Sequence, residues 1–495
     1  MARRVRMEPS RTLTEFRLLP GLTTREAGIE RVSLDSPLVL APGGAVRLKV
    51  PVLAAAMQSV SGSRMGIELA RLGGAAVIFA SQPIADEAAM VARIKAHKAG
   101  FVEPRTIGPQ TPLREVDALR RSHGYSTFPV VDVEGRLLGL ITRRDYDARV
   151  HGDVPAAERM IPRAQLDVGM GIKDLEEANG LLIQGHRSVL PIVDADDRLL
   201  ALVFRKDIED HLDNPDQVVD EKKRLLAVAA INTHDYRERV PALAEADVDV
   251  LVVDSSDGHS AFQIEAIEWI KARYPKLPVM GGNVITADGF DALVAAGAGA
   301  VKVGMGGGSI CITQEQKGTG RGLATAIIDV AAARDRHAEK AGAHVPIVAD
   351  GGIVNSKDVV IALALGADAV MMGRFFARME ESPTETVRIG ERVMKPYWGE
   401  GSARAREWSP ARYRQAAFVE GVEGFVEYAG KLRDNLPLLV SKVKAAMSSC
   451  GCATVDELHR EAELELVSAL AIREGKVHDV LQLGGEPDAL SSWSV

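Results

Sequence analysis

Cys311 stands in the stretch "GMGGGSICITQEQKGTGRG" (304–322), between two glycine clusters, in a chain that has only three cysteines. A thiol ringed by loop amides and close to a helix start ionises readily and becomes a nucleophile. The other use of a cysteine is as a small apolar core filler, and the polar neighbours Ser309 and Thr313 argue against that use here. Thr313, two residues on, has a hydroxyl that can relay a proton or simply close a turn on the backbone. Asp350 follows an apolar run and precedes two glycines in "ADGGI". A carboxylate in that position can accept both hydroxyls of a ribose or cap the next helix. Asp254, in "VVDSSDGHS", poses the same choice. Gly351, Gly352 and Gly373 would let backbone N–H groups approach an anion closely, or serve only as tight turns. No dinucleotide-binding G-x-G-x-x-G and no G-x-x-x-x-G-K-[ST] occurs at these glycines, so any nucleotide is held by other means.

The elements that must position these groups alternate. Apolar, β-prone runs occur at 50–56, 75–80, 225–231, 249–254, 278–281, 300–304, 346–350 and 369–373, with helix-like segments such as "TADGFDALVAAGA" between them. Near-continuous apolar strands are buried on both faces, as in a parallel sheet. Eight β/α units predict an α/β fold of the (β/α)8 TIM-barrel type, with a doubly wound sheet as the alternative. Chemistry in such barrels gathers at the strand ends. Strand four ends in "VVDSSDGHS", strand six in the cysteine loop, strand seven in "ADGGI" and strand eight in "MGRFFARMEESP". Between the second and third units lies a repeat: "FPVVDVEGRLLGLITRRDY" begins at Phe128 and "LPIVDADDRLLALVFRKDI" at Leu190. Two copies make a paired module rather than a solenoid, which needs more repeats. The expected organisation is barrel over 1–99, module over 100–217, and barrel again over 218–495.

The chain of 495 residues carries a net charge of −8 with 26% charged residues, and no basic stripe suits it to nucleic acid. No run approaches the ~18 apolar residues of a membrane span, and the basic start "MARRVRMEPS" lacks the apolar stretch of a signal peptide. Cys450 and Cys452 are too few and too close for a disulfide framework or a metal site. A reducing, cytoplasmic setting is expected.

The loop "GGGSICIT" resembles the catalytic loop of the IMP dehydrogenase/GMP reductase family. "VPVLAAAMQSVSG", "VVDSSDG", "ADGGI", "EESP" and "YWGEGS" fall in that family's order and spacing. The repeat resembles its inserted tandem CBS (Bateman) module. The resemblance covers nearly the whole chain and fits a divergent branch, since the commoner loop has a double threonine after the cysteine. It implies NAD-dependent oxidation of IMP to XMP, a step of guanine nucleotide synthesis, through a thioimidate on Cys311. It further implies that Ser309, with the amides of Gly352, Gly373 and Arg374, holds the 5′-phosphate, with Tyr397 also among the substrate contacts. Asp350 would take the ribose, Met57 would touch the base, and Gly399, Gly401 and Glu420 would read its polar edge. Asp254, Ser255, Gly304 and Gly306 would meet NAD, with His234 and Phe262 as candidates for its adenine.

Water would be activated by Arg412 and Tyr413 of "SPARYRQ", or through Thr313 and Glu420. A K+ ion would sit on carbonyls of Gly306, Gly308 and Cys311, completed by Glu474, Gly475 and Lys476 of a neighbouring subunit, where the Lys476 ammonium competes with the cation. The resemblance also implies a homotetramer, able to pair into an octamer, and a purine nucleotide effector on the module. There Thr142 and Asp145 fit a T-x-x-D element, while the second copy has Phe204 and Asp207. GMP reductase, which lacks the Arg-Tyr pair, is the rival enzyme. A silent nucleotide sensor is the rival of another class, and it would have lost Cys311, Thr313 or Asp350.

Overall fold

The computed structural model describes residues 5–97, 101–102, 104–123, 127–172, 174–408 and 418–478. Eight strands close a barrel: β1 (Val52–Ala54), β2 (Ala75–Ile78), β3 (Val228–Ile231), β4 (Val250–Val253), β5 (Val279–Val284), β6 (Ala300–Val303), β7 (Ile347–Asp350) and β8 (Ala369–Met372). Each pairs in parallel with the next, and β8 returns to β1. Every residue of these strands is buried except Asp350, which is why they read as unbroken apolar runs. β5 continues past the expected end at Gly281, because Gly282 and Val284 pair with Lys302 and Val303.

The residues alternate between two cores. Leu53, Val77, Val228, Ala230, Val250, Val252, Met280, Ala300, Val348 and Met371 fill the barrel. Their neighbours, such as Val52, Leu251, Val301 and Ile347, meet the surrounding helices. Each fully buried valine, leucine or isoleucine contributes ~1.5–3 kcal/mol relative to exposure. The helices are α1 (Ser63–Arg71), α2 (Ile84–Lys95), α3 (Tyr236–Glu245), α4 (Ala261–Arg273), α5 (Ala287–Ala295), α6 (Leu323–Ala341), α7 (Ser356–Ala364) and α8 (Leu432–Ser449). Side-chain caps start three of them: Ser260 on Gln263, Thr286 on Gly289 and Asn355 on Asp358. Between β8 and α8 the chain adds an antiparallel sheet of Val387–Ile389, Arg392–Trp398 and Glu423–Glu427.

The chain leaves the barrel after α2 and returns before β3. In between, one sheet holds the hairpin Thr127–Val131/Leu137–Thr142 with Ile161–Pro162. The other holds the equivalent hairpin Val189–Val193/Leu199–Phe204, with Gly169–Met170 and, from the start of the segment, Phe101–Val102. Each sheet has its own apolar cluster. The two hairpins meet through Leu137 N–H on the Asp197 carbonyl at 2.9 Å and Leu199 N–H on the Gly135 carbonyl at 3.0 Å, and Arg163, after Ile161–Pro162, grips the Asp197 carboxylate at 2.7–3.0 Å.

A clasp closes the barrel across this insertion. Lys95, only 4% exposed at the end of α2, pairs at 2.7 Å with both Asp220 on the returning chain and Asp249 ahead of β4. The departing and returning chain segments also bond directly, Leu225 N–H to the His97 carbonyl at 3.0 Å. Among the described residues, no helix is long and apolar enough to cross a membrane.

Candidate active site

The inward parity of the strands decides which side chains reach the mouth of the barrel. Counting in twos from Val252, Ala300 and Val348 leads to Asp254, Lys302 and Asp350 toward the C-terminal ends of β4, β6 and β7. The buried Lys302 ammonium lies 2.6 Å from Asp350 Oδ2 and 3.1 Å from Asp254 Oδ1. Burial opposes its charge, but the carboxylates of Asp350 and Asp254 outweigh burial and hold its pKa above the ordinary lysine value. Gly282 on β5 makes room, since a Cβ there would stand 2.6 Å from Lys302 Cβ. Asn283 follows it and donates to Asp350 Oδ2 at 2.9 Å. Asp350 is therefore no helix cap: its carboxylate faces the cavity, as does that of Asp254.

Cys311 comes from the loop after β6. Gly304 opens that loop with φ +136°, and a Cβ on it would overlap the Asp350 carbonyl oxygen. The loop then pairs with the chain that leads into Glu423–Glu427. Ile312 N–H donates to the Glu420 carbonyl at 3.0 Å and Val422 N–H to the Ile310 carbonyl at 2.9 Å. This pairing brings together residues a hundred positions apart. Cys311 Sγ lies 3.1 Å from Thr313 Oγ1, which in turn donates to Glu420 Oε2 at 3.1 Å. Thr313 opens a short helix, Thr313–Lys317, so the cysteine does stand just ahead of a helix start.

Both groups open into one cavity of about 840 Å³. Ser309, Gly352, Gly373 and Arg374 line it with Asp350, and Gly373 leads into the short helix Arg374–Ala377. Gly373 could not be larger, for a Cβ would stand 2.7 Å from the Tyr397 hydroxyl and 3.2 Å from the Met57 sulfur. Burial pushes the Tyr397 phenol up to about 12, against a hydrogen bond with Ser309 and with Asp350 adding to the rise. Gly401 packs on Glu420 and Gly399 on Gly421, and Ser255, Gly304, Gly306, Gly308 and His234 line the same cavity. Glu400, between the two glycines, accepts the Gln58 N–H at 2.6 Å and the Ser81 hydroxyl, which fixes this segment to the ends of β1 and β2.

The structure does not bring every expected residue here. Phe262 sits in the first turn of α4, 71% exposed and off the cavity, because the burial on this helix falls to Gln263, Ala266, Ile267 and Ile270. Glu474, Gly475 and Lys476 end a helix that packs on Leu13–Glu15, and they do not line the cavity. Arg412 and Tyr413 lie outside the described residues. In the insertion, Asp145 accepts the Thr142 N–H at 2.6 Å, so the T-x-x-D element closes a turn on itself.

Sequence reasoning missed Lys302, Asn283, Lys317 and Glu400. A charged residue at inward parity in "AVKVG" was the available signal for Lys302. Lys317 pairs with Asp257 at 2.7 Å and lies 3.8 Å from Glu420.

Comparison with known proteins places this arrangement. The model of the IMP dehydrogenase / GMP reductase domain matches residues 10–478. The chain belongs to the IMP dehydrogenase/GMP reductase family. It is 45% identical over 488 residues to the inosine-5′-monophosphate dehydrogenase of Tritrichomonas foetus, covering 96% of this chain and 97% of that protein. To the Escherichia coli K12 enzyme of the same name it is 38% identical over 447 residues, covering 88% of this chain and 90% of that one. Among solved structures it resembles a GMP reductase from Trypanosoma brucei in complex with guanosine 5′-monophosphate, with a TM-score of 0.78 and 29% identity over 96% of this chain and 99% of that chain.

Proposed function

We propose that this chain oxidises IMP to XMP with NAD, and that Cys311 is the nucleophile. The observation that carries the reading is the unbroken path from Cys311 Sγ through Thr313 Oγ1 to Glu420 Oε2, in a cavity shared with Asp254 and Asp350. The Cys311 thiolate adds to purine C2, with the ribose held by Asp350 and the phosphate by Ser309 and the amides at Gly352, Gly373 and Arg374. When bound, NAD supplies the acceptor for the hydride that leaves C2. The oxidised purine is then a thioimidate on Cys311. Water adds to the same carbon, its proton passes to Thr313 and on to Glu420, and the C–S bond breaks, its electron pair leaving on sulfur, to give XMP and the Cys311 thiolate. Arg412, with Tyr413, is the other proposed water activator; as a guanidinium it is a poor base unless its site disfavours the charge.

The residues fit NAD. Asp254, Ser255 and His234 line the same cavity as Cys311. The buried Asn283 Oδ1 has no hydrogen-bond partner, which leaves an acceptor for a bound ligand. For K+, the loop offers carbonyls of Gly306, Gly308 and Cys311, with that of Gly308 already accepting the Cys311 N–H at 3.1 Å. Glu474–Lys476 rests on Leu13–Glu15, so a second subunit would have to complete the site, in keeping with a homotetramer or an octamer. The insertion at 100–217 is read as a tandem CBS module with a purine nucleotide effector. A reducing, cytoplasmic compartment suits a nucleophile that must stay a free thiol, and all three cysteines are free.

The deciding assay follows nicotinamide absorbance with IMP plus NAD+, and separately with GMP plus NADPH. Reduction of NAD+ with formation of XMP is the expected result. Oxidation of NADPH with release of ammonia from GMP, in place of the first reaction, would make the chain a reductase.

A further inference from the structure

We propose that Lys317 is a positioning residue for the hydrolytic half of the reaction, its ammonium holding the Glu420 carboxylate against Thr313. The inference rests on the proton route through Thr313 and Glu420 given above. Thr313 and Lys317 are the first and last residues of one short helix, four apart and therefore on the same face. Both address the same oxygen: Thr313 Oγ1 is 3.1 Å and Lys317 Nζ 3.8 Å from Glu420 Oε2.

The lysine is itself anchored. Its Nζ lies 2.7 Å from Asp257 Oδ2, in the loop that follows β4. The helix stops directly after it at Gly318, whose left-handed φ of +64° lets its N–H cap the Gln314 carbonyl at 2.9 Å. Its side chain is 24% exposed, at the cavity wall. Burial works against its charge, but Asp257, Glu420 and Cys311 outweigh burial and keep its pKa above the ordinary lysine value. A permanent cation is thus fixed on the acceptor end of the relay, tied at once to the cysteine helix and to the β4 loop.

A carboxylate held this way presents one oxygen to Thr313 and is ready when water adds at C2. Released, it can turn toward solvent, and the hydroxyl loses its acceptor. Hydride departure requires none of these contacts, so only the second half of the cycle should suffer.

The test is rapid mixing of the full-length protein with IMP and NAD+, using Lys317→Met, Lys317→Arg and, in parallel, Glu420→Gln. Lys317→Met should keep the burst rate and an amplitude of about one NADH per site, while its steady rate falls about tenfold, as expected when one positioned group shifts. Its KM for IMP should rise by no more than about threefold, since the groups assigned to ribose and phosphate are untouched and only the Glu420 contact to the base shifts. The adduct on Cys311 should accumulate, visible as added mass on the intact chain. Lys317→Arg should recover the steady rate to within about threefold, because the charge and reach are kept. Equal slowing of burst and steady rate in Lys317→Met would make Lys317 a structural residue and overturn the proposal. An unchanged steady rate in Lys317→Met beside a slow Glu420→Gln would also overturn it, leaving the relay intact. A wild-type steady rate in Glu420→Gln would remove the relay and the role of Lys317 with it.

Discussion

Cys311 and Lys302 do different work within one cavity, and their substitutions should separate cleanly. In the proposed reaction Cys311 bonds to the reacting carbon, while ribose and phosphate are assigned to other groups. Cys311→Ala should therefore abolish NADH formation and leave IMP affinity within a few-fold of wild type, measured by absorbance and by titration calorimetry. Appreciable turnover in that variant would remove the covalent mechanism. Lys302, 2% exposed, is the shared counter-ion of Asp254 and Asp350. Lys302→Met leaves two carboxylates facing each other across a narrow barrel mouth, and breaking a buried ion pair costs ~3–5 kcal/mol. A clear fall in melting temperature is expected, together with raised KM for both IMP and NAD+. A rise for only one of them would show that the lysine serves a single ribose site.

The clasp at Lys95 makes a prediction for the elements. Because Lys95, Asp220 and Asp249 close the barrel beneath the insertion, replacing the inserted segment between His97 and Val218 by a short linker should leave a folded, active enzyme. Activity and melting temperature of the deleted chain test this, and loss of chemistry in a folded product would count against it. Lys95→Met, in contrast, should destabilise the full chain by ~3–5 kcal/mol.

The elements also show what a sequence reveals and what it hides. The eight strands were legible because both their faces are buried, and the repeat because its two hairpins kept their side-chain pattern. The entry of Phe101–Val102 into the second sheet, beside Leu202 and Val203, was not legible, since a two-residue strand carries no periodicity. Cys311 stood out by its rarity and Asp350 by its place between an apolar run and two glycines. That Glu420 reaches Thr313 depends on pairing between the cysteine loop and the chain before Glu423, a long-range contact that spacing cannot encode. Lys302 was readable in principle from its inward parity among apolar residues, but only once the barrel closure was known.

At the scale of the whole molecule, the end of the barrel opposite the active site carries its own buried charges. Asp368, at the foot of β8, takes His344 Nε2 at 2.7 Å, Arg334 Nη1 at 3.3 Å and the Ile347 N–H at 2.8 Å. Burial would raise its pKa, but the bond to His344 and the charge of Arg334 bring it below the ordinary aspartate value. His459, on the helix Val455–Glu461, bonds the Ala367 carbonyl at 3.0 Å, and burial holds its pKa below the ordinary histidine value, against the pull of Asp368.

Both shifts act in one direction. For Asp368 the unfolded chain binds the proton more tightly, so its stabilisation is present above the unfolded aspartate pKa and is lost as pH falls through the folded value. For His459, too, the unfolded chain is the better base. Stability is therefore lost as pH falls from about 6.5, the unfolded histidine value, toward the lower folded one. The melting temperature should drop between pH 7 and pH 5, and His459→Gln, whose amide can still donate to Ala367, should flatten that drop. The slope removed cannot exceed one proton, ~1.4 kcal/mol per pH unit. The pH profile of kcat/KM should not change in this variant, because the catalytic cavity lies at the other end of the strands. An unaltered slope of melting temperature against pH in His459→Gln would place the acid sensitivity on other groups, with the network around Asp368 the next to be tested.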